Sequence, residues 1–523
     1  MPGVLWVRSE LFDHGVFNTS VRWTVLKVLD FLTPLQWVGS MNISRTQWVE
    51  VTTTRCKPAL TEVEALAFWY ITSVLQQSML GKKTEWLDVR IIGLVLMCQV
   101  FTPHRVRTDH KAMTAESWPS REITSVSSPR HSPRGSSPRV AVSAQSSAGR
   151  GRDASAALLA FVRQHCGYFL QIACFSLASE PSNVKAEEFD MLGLLLGAGS
   201  SFSTPFPQIS EAVPDLSVKK ALPFKDIRKW AEKSLVWNEE VYPAMEVPSR
   251  DVESKTVNVS GMHKATWFQR PPNVDSEFLN ITSCNDCVIY VTSAARFCFV
   301  AGCHECTIIM TAVSDLCTIS NCEKITVHVA AHCFKMENCT DSSAYLYCHV
   351  PPILTGDTRG IKLAPFNVLY SQMDRVLASA NLKLEPEYID VWARPVCSTL
   401  GSPDETLGGR SDKSDDNSTY HFVHPKTFQP VIVPEAGPTR PKFNTLCLPE
   451  VYDAAFKKGV EEMRSFHRML SEIEDESKRK RAQQVIQGHF REWLQSTGKS
   501  RQLADLAKMA QTGQSTSGSP PSG

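Results

Sequence analysis

Sixteen cysteines stand in this chain of 523 residues, and four of them have the spacing of a metal site: Cys284-x2-Cys287-x15-Cys303-x2-Cys306. Two Cys-x2-Cys pairs at that separation can present four thiolates tetrahedrally to zinc. The pattern does not stop there, however. Ser283-Cys-Asn-Asp-Cys-Val-Ile-Tyr-Val291 lies 19 residues before Gly302-Cys-His-Glu-Cys-Thr-Ile-Ile-Met310, and another 19 lead to Asn321-Cys-Glu-Lys-Ile-Thr-Val-His-Val329. A fourth copy, Asn338-Cys-Thr-Asp341, follows after 17. In the third copy Ile325 replaces the second thiol, and in the fourth Ser342 does. A zinc site gives its neighbours no reason to copy its spacing, whereas a stacked core of small, buriable side chains does. These cysteines are therefore read as core, with no metal ligand, cofactor or catalytic residue assigned.

A period near 20 built of short apolar strands and polar turns is the signature of a solenoid, and the parallel β-helix is the natural one. Each coil then sits about 4.8 Å above the last, so residues one period apart form vertical columns. Cys284, Cys303, Cys322 and Cys339 are one column, and Ile289, Ile308 and Val327 a second. The next strands align Cys298-Phe-Val300, Cys317-Thr-Ile319 and Phe334-Lys-Met336. Cys298, Cys317, Cys333 and Cys348 are assigned to the same stacking and read as inert thiols.

The elements around the repeat are mostly helical. Residues 1–118 carry apolar positions at helical spacing between Leu60 and Trp86, with Thr61 and Glu64 forming a capping-box pattern, and a buried helix over Ile91–Val100. Residues 119–153 are a Ser/Pro/Arg linker too poor in aliphatic residues to close a core, expected to be disordered. Its Ser128-Pro-Arg, Ser132-Pro-Arg and Ser137-Pro-Arg triplets fit a proline-directed kinase, although such linkers also produce them by composition alone. Helical spacing resumes over 154–245, where Gly193-Leu-Leu-Leu-Gly-Ala-Gly199 lacks the Lys-Ser/Thr of a phosphate loop. The β-helix is placed at 255–396 and an acidic loop at 397–419. Residues 420–510 read as short strands followed by helices, and 511–523 as a disordered tail. In the C-terminal helices Val460, Met463, His467, Leu470 and Ile473 or Glu474 approximate heptad positions, and Phe490, Trp493 and Leu494 continue an apolar stripe beyond the basic run Lys478-Arg-Lys-Arg481. The expectation is a helical hairpin packed on the β-helix, with a short coiled coil for a partner as the alternative.

Charge and hydropathy exclude several classes. With 55 Lys+Arg against 54 Asp+Glu, the chain lacks the basic excess of a protein that binds nucleic acid by neutralising phosphates. No apolar run approaches the roughly 18 to 20 residues that cross a bilayer. The N-terminus lacks the features of a secretory signal, so a reducing cytosol is expected, where thiols stay unpaired.

After the coils comes Gly360-Ile-Lys-Leu-Ala-Pro-Phe-Asn367, with Tyr370 close behind. Cys-x-x-Cys coils ending in such an Ala-Pro-Phe strand resemble the tubulin-binding cofactor C (C-CAP) domain family, whose fold is a right-handed β-helix. Leu5-Trp-Val-Arg8, Glu64-Ala-Leu-Ala-Phe-Trp-Tyr70, Glu116-Ser-Trp-Pro119, Asp390-Val-Trp392 and Phe490-Arg-Glu-Trp-Leu-Gln-Ser-Thr-Gly498 are similar to the branch of that family found at centrosomes and basal bodies. The resemblance implies a non-enzymatic cytoskeletal protein of the centrosome, spindle pole or basal body that positions the organising centre and the Golgi. It implies centrosomal or basal-body protein partners, tubulin among the candidates, and neither nucleic acid nor membrane insertion. The enzymatic branch stimulates GTP hydrolysis with an arginine finger, and the corresponding stretch here, Val329-Ala-Ala-His-Cys-Phe-Lys335, has no arginine. Lys335 lacks the planar fork and is placed on a solvated face; His332 is read as a loop histidine, and Arg296 as lying in another coil's turn. A tubulin-folding cofactor, or an activator of tubulin or an Arf-like GTPase, is the alternative function. The fold class that follows is α+β: a helical N-terminal domain, a central right-handed parallel β-helix and a C-terminal helical extension.

Overall fold

The computed structural model describes residues 4–38, 40–101, 152–199, 208–242, 256–269, 275–399, 419–434, 446–497 and 499–514. Ser128, Ser132 and Ser137, most of the acidic loop and the last residues of the tail lie outside them. The three-part architecture expected from the patterning is present: N-terminal helices, a central parallel β-solenoid and C-terminal helices.

The principal N-terminal helices span Val25–Leu32, Arg45–Thr54, Glu62–Leu80, Val89–Cys98, Arg152–Ala173 and Phe224–Ser234. Thr61 and Glu64 close the expected capping box, and Glu64 Oε1 also accepts Ser20 N at 2.6 Å, so one carboxylate caps a helix and holds the preceding segment. The helices on either side of the linker share one core, in which Phe12, Phe68, Leu94, Phe169 and Ile172 are buried. This region also holds a small sheet that helical periodicity does not reveal: Leu5–Val7 pairs antiparallel with Leu196–Ala198 and parallel with Leu235–Val236. That sheet explains the glycine-rich stretch. A side chain at Gly197 would overlap the Trp6 ring, so the glycine permits close strand packing.

The solenoid makes six turns, marked by the bridged corner residues His263, Asn285, His304, Glu323, Thr340 and Arg359. Columns are kept on either side of irregularities within the strands: Ile289 pairs with Ile308 and Ile308 with Val327, while Cys298 pairs with Cys317 and Cys317 with Phe334. The first coil, Thr256–Ser260 and Thr266–Phe268, carries no cysteine, and the last pairs Ile361–Pro365 with the strand Ser343–Cys348. Val396–Thr399 and Tyr420–Phe422 then add a partial further rung. Val396–Thr399 is therefore a strand and not the start of a loop.

Each corner turns through left-handed backbone. Asp286, Glu305, Lys324 and Asp341 all have φ of 50–53°, as do Ser283, Asn321 and Asn338 on the other side of their corners. Such conformations cost a non-glycine residue about 1–2 kcal/mol each, which the stacked ladder must offset. At the last corner glycine is needed twice over: Gly356 has φ +69°, and a Cβ there would collide with Asn338 Oδ1 and lie 2.8 Å from Asn18 Nδ2. Gly261, at φ +64°, faces open space. Gly356→Ala is thus expected to lose roughly 2–3 kcal/mol by urea unfolding against about 1 kcal/mol for Gly261→Ala; equal losses would mean that the Asn338 and Asn18 contacts carry no weight.

Candidate functional site

The candidate surface is built by strand alternation. On the strands that lead into the corners, Leu279, Ile281, Cys298, Val300, Cys317, Ile319, Phe334 and Met336 point into the solenoid. Their neighbours point outward in two columns, Phe278–Phe297–Leu316–Cys333 and Asn280–Phe299–Thr318–Lys335. The first of these columns belongs to the N-terminal core, so this wall is covered by the chain's own N-terminal domain.

The segment around His14 stitches the two together. Its ring stacks on Phe297 at 5.3 Å and meets Phe299 edge-on at 6.1 Å, and Nδ1 and Thr318 Oγ1 share a hydrogen bond of 2.9 Å. Lys335 Nζ donates to His14 O at 2.9 Å and Val16 O at 2.7 Å and lies 3.9 Å from Glu337 Oε2. Glu337 Oε1 in turn accepts Asn18 N at 2.8 Å, and Asn18 Nδ2 donates to Asn338 Oδ1 at 3.1 Å. Lys335 is 0% exposed. The expectation of a solvated face is overturned because register puts Lys335 in the column that the N-terminal segment covers.

Arg296 lies inside the strand Val288–Ala301, not in a turn. Its Nε donates to Asp315 Oδ2 at 2.7 Å, and Nη2 to Ser78 O and Oγ at 3.0 and 2.8 Å. Glu277 Oε2 lies 3.6 Å away. This arginine ties the helix Glu62–Leu80 to the solenoid. His332 is likewise a strand residue, its ring centre 5.2 Å from that of His349, which stacks on Tyr388 at 4.2 Å. Burial first, then His349 and Lys83, pushes His332 down to about 4; burial and Lys83 do the same to His349. Both rings are neutral near pH 7 and pack as aromatics.

The Cys-x2-Cys pairs stand in columns, each thiol turned to a carbonyl two residues back. Cys284 Sγ donates to Thr282 O at 3.4 Å, Cys287 Sγ to Asn285 O at 3.2 Å, Cys303 Sγ to Ala301 O at 3.6 Å and Cys306 Sγ to His304 O at 3.3 Å. Among the described residues no three or more His, Cys, Asp or Glu side chains converge on a point that could hold a metal ion. Cys333 departs from the assigned stacking: Phe334 takes the Cys317 column, so Cys333 faces the opposite way, into the N-terminal core. Cys348 does lie in the solenoid interior, and burial pushes its thiol well up.

A second wall, with Tyr290, Ile309, Ala330 and Tyr347, is covered by Phe366–Tyr370 and the helix Met373–Ser379. There His328 stacks on Tyr345 at 4.5 Å, with Nδ1 and Asn367 Oδ1 2.7 Å apart. Among the described residues, the polar ridge of corners stays open, with Glu305, Lys324, Asp341, Arg359 and Lys362 exposed. Lys324 Nζ sits 3.5 Å from Glu323 and 3.9 Å from Glu305. At one end Arg501 Nη2 reaches Asp286 Oδ1 at 3.1 Å, capping the ridge with the last helix. Arg359, whose side chain is 68% exposed and 4.0 Å from Asp357, was missed from sequence because its coil carries no cysteine to mark the register. A long charged edge of this kind suits a protein surface better than a small molecule.

The sequence of residues 276–393 matches the family described as Tubulin binding cofactor C. The match falls on the solenoid, from its second coil to the short helical turn that carries Trp392. Relatives include TBCC domain-containing protein 1 of Gallus gallus, 22% identical over 263 residues, covering 49% of this chain and 44% of the relative. The Homo sapiens protein of the same name is 21% identical over 262 residues, covering 49% and 43%. The matched region thus spans less than half the length of these relatives. Among solved structures, Tubulin Binding Cofactor C from Leishmania major aligns over 29% of this chain and 92% of its own, with 16% identity and a TM-score of 0.20.

Two measurements test how the solenoid is held. Lys335→Ala leaves Glu337 and two carbonyls enclosed without their partner, and is expected to cost about 3 kcal/mol by urea unfolding; a loss within 0.5 kcal/mol of zero, on the order of an ordinary surface change, would contradict the buried network. The second reads pH. Burial holds His14 down at about 3 and His328 at about 4, below the unfolded value near 6.5. Below pH 6.5 the unfolded chain takes up protons that the folded chain excludes, so stability falls with pH down to about 4. Each histidine contributes about 1.4 kcal/mol per pH unit. His328→Gln should flatten the change in urea midpoint between pH 7.5 and 5; an unchanged slope would show that His328 titrates freely.

Proposed function

We propose that this protein is a non-enzymatic, tubulin-related cytoskeletal factor of the centrosome, spindle pole or basal body. It acts by protein binding through the corner ridge of its cofactor C domain to position the organising centre and, with it, the Golgi. The carrying observation is how the solenoid spends its surfaces. Two walls are closed by the chain itself, and the basic groups on the larger one, Lys335 and Arg296, are fixed by His14, Val16, Asp315 and Ser78. Neither can enter a partner's nucleotide site without undocking the N-terminal domain, so the surface left for a partner is a charged edge. Tubulin is named by the family, and centrosomal or basal-body proteins are the partners this reading favours.

Arg359, exposed on that edge, is the side chain that the GTPase-activating alternative would need, since a finger must deliver a planar guanidinium to the transferring phosphoryl group. The test has two arms. Tagged protein imaged with a centriole marker is expected to form a focus that survives microtubule depolymerisation, and purified chain is expected to leave GTP hydrolysis by tubulin and an Arf-like GTPase unchanged. Diffuse signal together with a stimulated rate that Arg359→Ala abolishes would overturn the proposal in favour of the activator.

A further inference from the structure

The helices Glu450–Ser471 and Glu476–Ser496 are sparsely covered by the rest of the described residues. Tyr452 is the one buried residue of the first, anchored by Oη to Val423 O at 2.7 Å, and the second buries none among the described residues. Yet both carry large apolar groups in water: Met463 is 61% exposed, Phe466 44%, Phe490 53% and Trp493 46%. The expected hairpin packed along the solenoid is not formed. Exposed apolar stripes on two consecutive helices mark an interface.

Charge identifies the occupant. At the junction the acidic run Glu472, Glu474, Asp475, Glu476 is followed directly by the basic run Lys478, Arg479, Lys480, Arg481. Lys480 pairs with Glu476 at 2.8 Å and Lys478 with Asp475 at 3.7 Å within the chain, whereas Glu472, Glu474, Arg479 and Arg481 form no ion pair among the described residues. A sequence that runs from acidic to basic about one point is complementary to its own reverse. We propose that this segment is a self-association interface, in which two copies of the chain cross antiparallel about a two-fold axis near Ser477.

One register satisfies both charge and hydropathy. Setting Glu474 opposite Arg479 of the second copy brings Glu472 opposite Arg481, and the same alignment pairs Met463 with Phe490, Val460 with Trp493 and His467 with Ile486. These steps of three and four residues on both helices are those of a coiled-coil seam. Folding the two helices back within one chain across the short connection Glu472–Asp475 gives a worse match: Phe466 falls beside Arg481, Met469 beside Lys478 and Met463 beside Gln484. An isologous contact uses each patch twice, so the exposed stripes of both helices are covered in one closed dimer.

The test is a charge exchange on the full chain, read by sedimentation equilibrium at micromolar concentration. Wild type is expected to have the mass of two chains. Glu472→Lys with Glu474→Lys makes all four positions of the proposed cross-copy pairs, 472, 474, 479 and 481, basic, and Arg479→Glu with Arg481→Glu makes all four acidic; these sites are away from the core, so circular dichroism should be unchanged. Each variant alone is expected to dissociate at least 10-fold more readily, and an equimolar mixture to recover the dimer as a one-to-one heterodimer. A monomeric wild type would overturn the proposal and leave the stripe to another protein. Variants that dimerise like wild type, or a mixture that stays monomeric, would overturn it equally.

Discussion

Vertical stacking at a fixed register is the constraint on which the rest of the structure depends. In a parallel solenoid a side chain's neighbours above and below are set by the period, and the interior is only a few side chains wide. A column therefore accepts residues of similar, modest volume. Cys284, Cys303, Cys322 and Cys339 meet that condition, and Thr358 continues the column by accepting Cys339 N through its hydroxyl at 3.3 Å. The same demand admits Ile325, Ser342 and Ile361 where Cys287 and Cys306 stood in earlier coils. Thiols are abundant because they are small, buriable and able to satisfy a nearby carbonyl.

Alternation then creates a problem that the coils cannot solve alone. Every strand that points Cys298 or Ile319 inward points Phe297 or Leu316 outward, and a wall of such residues is unstable in water. The N-terminal domain is the solution, and its docking is both apolar and polar. Lys335 shows why the polar part matters: an ammonium fully removed from water is tolerated only where its donors are taken up, here by two backbone carbonyls and Glu337. The helical domain and the solenoid are consequently bound into one energetic unit, with Arg296 and Ser78 forming a second tie.

What was legible in the sequence divides along the same line. The interior columns could be read because their chemistry repeats every 17 to 19 residues. The capping box at Thr61 and the heptad-like spacing near Met463 are local and were equally readable. Contacts across the covered wall were not, since nothing periodic relates His14 to Thr318 or Asn18 to Glu337. Lys335 was read on its true outward face, and only the N-terminal segment that covers it was unforeseen, whereas Cys333 was misplaced for a more specific reason. The coil that contains it is shortened, and the register slips between Val313 and Leu316, so counting in steps of two through that irregularity assigns Cys333 the wrong face. The first coil fell inside the bounds given to the β-helix but was not recognised as a repeat, because Met262 and Ala265 occupy the thiol columns, and the N-terminal sheet escaped notice because its strands are two or three residues long.

The C-terminal helices show where local pattern stops being informative and arithmetic takes over. An amphipathic heptad states that a helix needs a partner but not whose helix that partner is. Connection length and charge order supply the missing information. A connection as short as Glu472–Asp475 fixes which residues can meet within one chain, and that register opposes Phe466 to a guanidinium. Reversing one copy against another shifts the register by about six residues, enough to bring apolar against apolar and acid against base together. Because one displacement corrects both, the stripe and the charge blocks point to a single interface, one in which a second copy covers Met463, Phe490 and Trp493.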